Sequence, residues 1–185
     1  MLGVKCNRGP VKGEFAKRLR DSMYNKFVFL DIDGVLNSEY FYSLTASGDR
    51  SLVCESNLLD SYTKENIDRK AVERVLRICS ETGSEIVLTS SWRLDNQCFY
   101  RLLPTGMVIH RQTPSLLWKY GTTCCRGQEI DEYLKKFPSD KYCILDDDTD
   151  MLEYQLPHFI QIDSCFGLTD ADAERAIDML GKISA

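Results

Sequence analysis

Residues Phe27–Asn37 read FVFLDIDGVLN. Phe27, Val28, Phe29 and Leu30 have the length and composition of a strand buried on both faces. Polarity then switches at once, to Asp31, Ile32, Asp33 and Gly34. Side chains two apart on a strand point the same way. Asp31 and Asp33 are therefore expected on one side of the chain, at the carboxyl end of a central strand. In open α/β sheets that edge is where ligands bind, and Gly34 lets the chain turn tightly away from it. Two carboxylates this close repel unless one holds a proton or a cation sits between them. The pair reads as a magnesium site, as a nucleophile beside an acid/base, or as a turn rich in Asp, since Asp also favours turns.

Downstream, Ile67, Ala71, Val72, Val75, Leu76 and Cys79 form a helical stripe that Gly83 ends. Ile86–Leu88 is a second apolar strand, and it too breaks into polar residues: Thr89, Ser90, Ser91, Trp92 and Arg93. A helix around Leu94–Leu103 and a strand at Met107–Ile109 follow. The helix Gln128–Phe137 carries Ile130, Tyr133, Leu134 and Phe137 on one face. Tyr142–Leu145 is the next strand, and it runs into Asp146, Asp147, Asp148, Thr149 and Asp150. Phe159–Ile162 is a further strand, and Thr169 caps a last helix with the stripe Ala173, Ala176, Ile177 and Leu180. This alternation predicts an α/β fold, a doubly wound, mostly parallel sheet with helices on both faces.

Three strands thus each end in a chemically loaded segment, and in a parallel sheet those ends share one edge. Asp31 with Asp33, Thr89 with Ser90, and Asp146 with its neighbours are expected to converge there. Arg126 opens the helix before the acidic strand and enters from the side. Each part has a task in phosphoryl transfer. A carboxylate can attack phosphorus. A second carboxyl group can protonate the leaving oxygen and then deprotonate water. Hard oxygen ligands hold magnesium, which offsets phosphate charge. A hydroxyl with nearby N–H groups binds the remaining oxygens, and an arginine fork grips two at once.

The set DIDGV at Asp31, Thr89 after an apolar strand, Arg126–Gly127 before a helix, and ILDDDTD around Asp146 resembles the four motifs of the haloacid dehalogenase (HAD) superfamily. The resemblance covers roughly residues 27–163. It implies a phosphatase acting through an aspartyl-phosphate. Asp31 would be the nucleophile and Asp33 the general acid/base, with its backbone carbonyl on magnesium. Thr89, with Ser90 as its rival, and Arg126 would bind the phosphoryl group. Asp146 would hold Mg2+, with Asp147 or Asp150 as the second acid. An acid at Asp33 fits the phosphatase branch rather than a dehalogenase proper. The strings LTSSWR (Leu88–Arg93), RGQEI (Arg126–Ile130) and ILDDDTDM (Ile144–Met151) are also similar to the compact domains of multi-domain RNA repair proteins called Swiss army knife proteins. That implies a phosphorylated RNA or DNA end as substrate, beside nucleotides or other large phosphomonoesters. The gaps between the motifs leave no room for a full cap domain, so an open site is expected.

Composition sets the outer bounds. The chain has 185 residues, enough for a single catalytic domain over residues 27–185. A net charge of −5 does not mark the whole molecule as a nucleic-acid binder. Residues 1–26 are nevertheless basic, with Lys5, Arg8, Lys12, Lys17, Arg18, Arg20 and Lys26 against Glu14 and Asp21. Phe15, Leu19 and Met23 give them the stripe of a short helix. They read as a solvated helix, a phosphate-contacting arm or a targeting peptide. Residues 38–65 read as an irregular insert beside the site. No apolar run approaches the about 20 residues of a membrane span. The eight scattered cysteines read as free thiols of a reducing, cytoplasmic compartment. Trp92 and Arg93 read either as substrate contacts or as a core residue and a buried ion pair. The competing functional reading is a non-enzymatic phospho-acceptor or scaffold, because receiver domains share the doubly wound sheet and the paired acids.

Overall fold

The computed structural model describes residues 26–49, 51, 53–54, 67–95, 102, 105–121 and 124–183. The helix expected around Phe15–Met23 lies outside these residues, as does most of the one expected at Leu94–Leu103.

Among the described residues the sheet has five strands, all parallel, in the order β3-β2-β1-β4-β5. They are β1 (Lys26–Leu30), β2 (Glu85–Leu88), β3 (Ile109–Gln112), β4 (Lys141–Asp146) and β5 (Phe159–Gln161). The helices are α1 (Glu39–Ala46), α2 (Arg69–Thr82), the single turn α3 (Leu117–Tyr120), α4 (Arg126–Lys136) and α5 (Asp170–Leu180). Strand order reverses at β1: the chain first builds outward through β2 and β3, then returns to place β4 on the other side. The crevice of such a sheet opens at that reversal.

Alternation along the strands decides what each face buries. Val28, Leu30, Ile86, Leu88, Cys143 and Leu145 form one core with the stripes of α2 and α5. Phe27, Phe29, Val87, Tyr142 and Ile144 form the other, against Ile130 and Tyr133 of α4. Phe29 is fully buried and meets Tyr133 and Tyr142 edge-on, at 5.4 and 5.7 Å between ring centres. Edge-to-face contacts add to the apolar burial because the positive ring edge meets a negative face. The helix ends follow their local chemistry. Thr169 and Asp172 form a capping box at α5, and Gly83 ends α2 in the left-handed region.

Two segments differ from the expectation drawn from sequence. Within the insert, Glu39–Ala46 is helical, with Ser38 as its cap and Phe41 buried beneath it. A helix with one buried residue leaves no apolar period to read. The edge strand lies at Ile109–Gln112 rather than Met107–Ile109. His110, Arg111 and Gln112 are exposed there, because an edge strand has one neighbour and little core to face. No cap domain is present among the described residues. The six described cysteines are free thiols. No described helix is long and apolar enough to cross a membrane.

Phe29→Ala removes the ring that α4 closes on. It should cost about 3–5 kcal/mol, much of the stability of a small domain, read as a lower urea midpoint.

Candidate active site

Parallel register sets Leu30 opposite Leu145, and the Asp31 N–H continues the ladder to the Leu145 carbonyl at 3.0 Å. Asp31 and Asp146 therefore leave adjacent strands at the same level, on the sheet's carboxyl edge. One oxygen each from Asp31, Asp146 and Asp147 lies within 4.8 Å of the others. Asp31 and Asp146 are buried. Burial raises the Asp31 pKa to about 6; Arg126 opposes the rise, and Asp33 and Asp147 add to it. Burial raises Asp146 to about 8, with the Asp31 charge adding to the shift and Arg126 opposing it.

Arg126, the first residue of α4, sits between the two carboxylates. Its Nη2 lies 3.1 Å from Asp31 Oδ1 and its Nε 3.1 Å from Asp146 Oδ2. Neither contact is aligned as a hydrogen bond, so both buried oxygens lack a hydrogen-bonding partner. Burial works against the guanidinium charge, but Asp31 and Asp146 outweigh it and the Arg126 pKa rises. Arg126 Nη1 also donates to the Thr89 carbonyl. The helix start is fixed from the acidic loop: Asp150 Oδ2 accepts the Arg126 N–H at 2.7 Å, and the Asp150 carbonyl accepts from Gly127 N at 3.2 Å. A methyl group at Gly127 would lie 2.6 Å from Leu152 N and Gln155 Oε1, so only glycine lets α4 dock this closely.

Asp33 stands at the rim. Its Oδ1 accepts from Asn37 Nδ2 at 2.8 Å and its Oδ2 from Trp92 Nε1 at 2.9 Å. Asn37 also closes the turn, accepting the Gly34 N–H at 3.0 Å on Oδ1. Gly34 has φ +72°, and a Cβ there would lie 2.3 Å from Asp147 Oδ2. Glycine is thus required twice, for the backbone and for the approach of Asp147. Thr89 continues β2, its N–H on the Leu30 carbonyl at 2.9 Å. Its Oγ1 is buried without a partner. The Ser90 hydroxyl accepts from Trp92 N at 3.3 Å.

The structure therefore gathers Asp31, Asp146, Asp147, Arg126, Thr89 and Ser90 at one place, with Asp33 beside them. Asp150, also considered as a metal ligand, spends a carboxylate oxygen on the α4 backbone. Trp92 is buried and bonds Asp33, and Arg93 pairs with buried Glu129. Reading the sequence for charge and strand ends passed over Asn37 and Glu129. The one available signal for Glu129 was its place three residues after Arg126, on the same helix face.

Three converging carboxylates, two of them buried and with oxygens that accept no hydrogen bond, are a hard donor set of the kind a magnesium ion takes. Arg126 supplies only part of the neutralising charge. The donor set fits the metal.

Residues 27–173 match the sequence profile of a family described as the HAD domain in Swiss Army Knife RNA repair proteins. Comparison with curated proteins and with solved structures returned no match.

A carboxylate whose pKa is raised in the fold holds a proton there that the unfolded chain has released. The contribution of Asp146 to stability without metal is then full at low pH and is lost as pH rises through the window up to about 8. Asp146→Asn should flatten that fall and raise the melting temperature at pH 8, measured by pH-dependent thermal unfolding in chelator.

Proposed function

The chain belongs to the HAD domain family of Swiss Army Knife RNA repair proteins, and on that premise we propose that it is a magnesium-dependent phosphomonoesterase working through an aspartyl-phosphate. The family points to phosphohydrolase chemistry. The observation that carries the finer reading is the in-register pair Asp31 and Asp146, joined by Asp147 within 4.8 Å and bridged by Arg126 at the strand-order reversal.

In this reading an Asp31 carboxylate oxygen attacks phosphorus, and the bond from phosphorus to the leaving oxygen breaks. Asp33 delivers the proton that the leaving oxygen needs. Asp33 then takes a proton from water, whose oxygen attacks the acyl-phosphate. Inorganic phosphate departs and the Asp31 carboxylate is restored. Asn37 and Trp92 hold the Asp33 carboxyl group in position, one donor on each oxygen. The unpartnered Thr89 hydroxyl supports it, ahead of Ser90, as the side chain that meets a phosphate oxygen. Arg126 neutralises charge building on those oxygens. Asp31, Asp146 and Asp147, with the Asp33 carbonyl, would hold Mg2+, which when bound supplies Lewis acidity and offsets the phosphate charge. Asp150 keeps its part by anchoring Arg126.

The substrate we favour is a phosphorylated RNA or DNA end. Two observations support it: the family's description, and the fact that among the described residues no cap domain covers the sheet edge.

Phosphate release should be measured from an aryl phosphate, nucleotides, and 5′- and 3′-phosphorylated oligonucleotides. It should require magnesium, be greatest for one oligonucleotide end, and vanish in Asp31→Asn. Full turnover by that variant would end the nucleophile assignment. Asp33→Asn should lower kcat by about 10²–10⁴-fold, the range of general acid–base catalysis, with little change in melting temperature.

A further inference from the structure

The proposed chemistry leaves a cavity of about 160 Å³ unused, although Arg126 lines it. Leu94, which ends the turn after β2, and Leu117, which opens α3, form apolar walls. They are 52% and 47% exposed, so two large apolar side chains border the cavity without being packed into the core. Cys124 and Cys125, which lead into α4, add two half-buried thiols.

The charges of this lining cancel: Arg93 and Arg126 are matched by Glu129 and Asp150. Arg93 pairs with Glu129, whose other oxygen accepts the Leu116 N–H at 3.0 Å. Arg126 turns its nitrogens to Asp31, Asp146 and the Thr89 carbonyl. Among the described residues of the lining, a second phosphate therefore meets no cation without an acid partner. What Arg126 offers the cavity is the flat of its guanidinium or its aliphatic stem, and either packs against a ring. Asp150 commits Oδ2 to the Arg126 N–H, which leaves Oδ1 as an acceptor for a ligand N–H.

An apolar cavity of about 150 Å³ holds a benzene-sized ring. The cavity beside Arg126 thus has room for one aromatic ring, between apolar walls and the side of an arginine, with a carboxylate at hand. Stacking on flat side chains and hydrogen bonds to edge N–H groups are how proteins bind unpaired bases. We propose that this cavity receives the base of the nucleotide whose phosphate lies at Asp31. The inference rests on the phosphatase reading above and deepens it: the enzyme recognises a nucleotide by its base as well as by its phosphate, with Arg126 between the two.

The test compares phosphate release from 5′- and 3′-phosphorylated oligonucleotides whose terminal nucleotide either carries its base or is abasic. At the preferred end, the base should raise kcat/KM about 10–100-fold, the discrimination that a small apolar pocket supplies. The double variant Leu94→Ala/Leu117→Ala should bring that ratio close to one while leaving kcat/KM for the abasic substrate within about twofold. Equal rates with and without the base in wild-type protein overturn the inference, as does a ratio unchanged in the double variant. A second readout needs no turnover. When a nucleoside monophosphate is added to Asp31→Asn with magnesium, the methyl NMR signals of Leu94 and Leu117 should move by the ring current of the base. Ribose 5-phosphate should leave them in place. Unmoved methyl signals at saturating nucleotide overturn the proposal, and they decide it should the double variant fail to fold. Failure of the underlying reading looks different: wild-type protein then releases phosphate from neither the base-bearing nor the abasic substrates, and the inference falls with it.

Discussion

Two carboxylates from adjacent buried strands face each other because parallel pairing leaves Asp31 and Asp146 no other place. Both are buried, so water does little to dissipate the charge, which is offset by protonation, by Arg126 or by a bound cation. Much of the surrounding structure meets this one demand. Helix α4 begins where it does so that Arg126 can lie between the acids, and Asp150 and Gly127 hold that start against the acidic loop. Gly34 gives Asp147 the room to join them.

The same demand explains why buried charge recurs one layer out. Arg126 has to be aimed, and it is aimed from both ends: its backbone by Asp150, its guanidinium by the carboxylates and the Thr89 carbonyl. Arg93 shares that carbonyl and anchors it to Glu129 on the same helix. Acid, strand end and helix are thereby joined by contacts that keep direction as well as distance. Buried charges are costly unless they are paired and hydrogen-bonded, as these are.

Asp33 is handled differently. It lies at the rim, is exposed, and is held by neutral donors from Asn37 and Trp92. A group proposed to give and take a proton benefits from access to water and from lone pairs left open. The buried acids and the rim acid thus sit in distinct environments although two of them are only two residues apart. Environment, rather than residue type, separates the roles proposed for them.

The strands, their parallel arrangement and the loaded strand ends were legible in the chain itself. Buried strands are apolar runs with a sharp polar break, and such breaks survive without any knowledge of neighbours. Asp31, Asp33, Thr89, Ser90, Arg126 and Asp146 could therefore be named from order and context alone. The rest depends on contacts between residues far apart in the chain. Helix α1 has one buried residue and so no period; the edge strand β3 is polar because only one side is paired. Which acid of the Asp147–Asp150 loop anchors α4 turns on which carboxylate its backbone captures. The Trp92–Asp33 bond spans 59 positions and the Arg93–Glu129 pair 36. The amino-acid order determines which groups reach the sheet edge, because local periodicity places them there. Tertiary packing alone decides which of them are held, which are orphaned and which serve the others, because burial and direction exist only once the layers close.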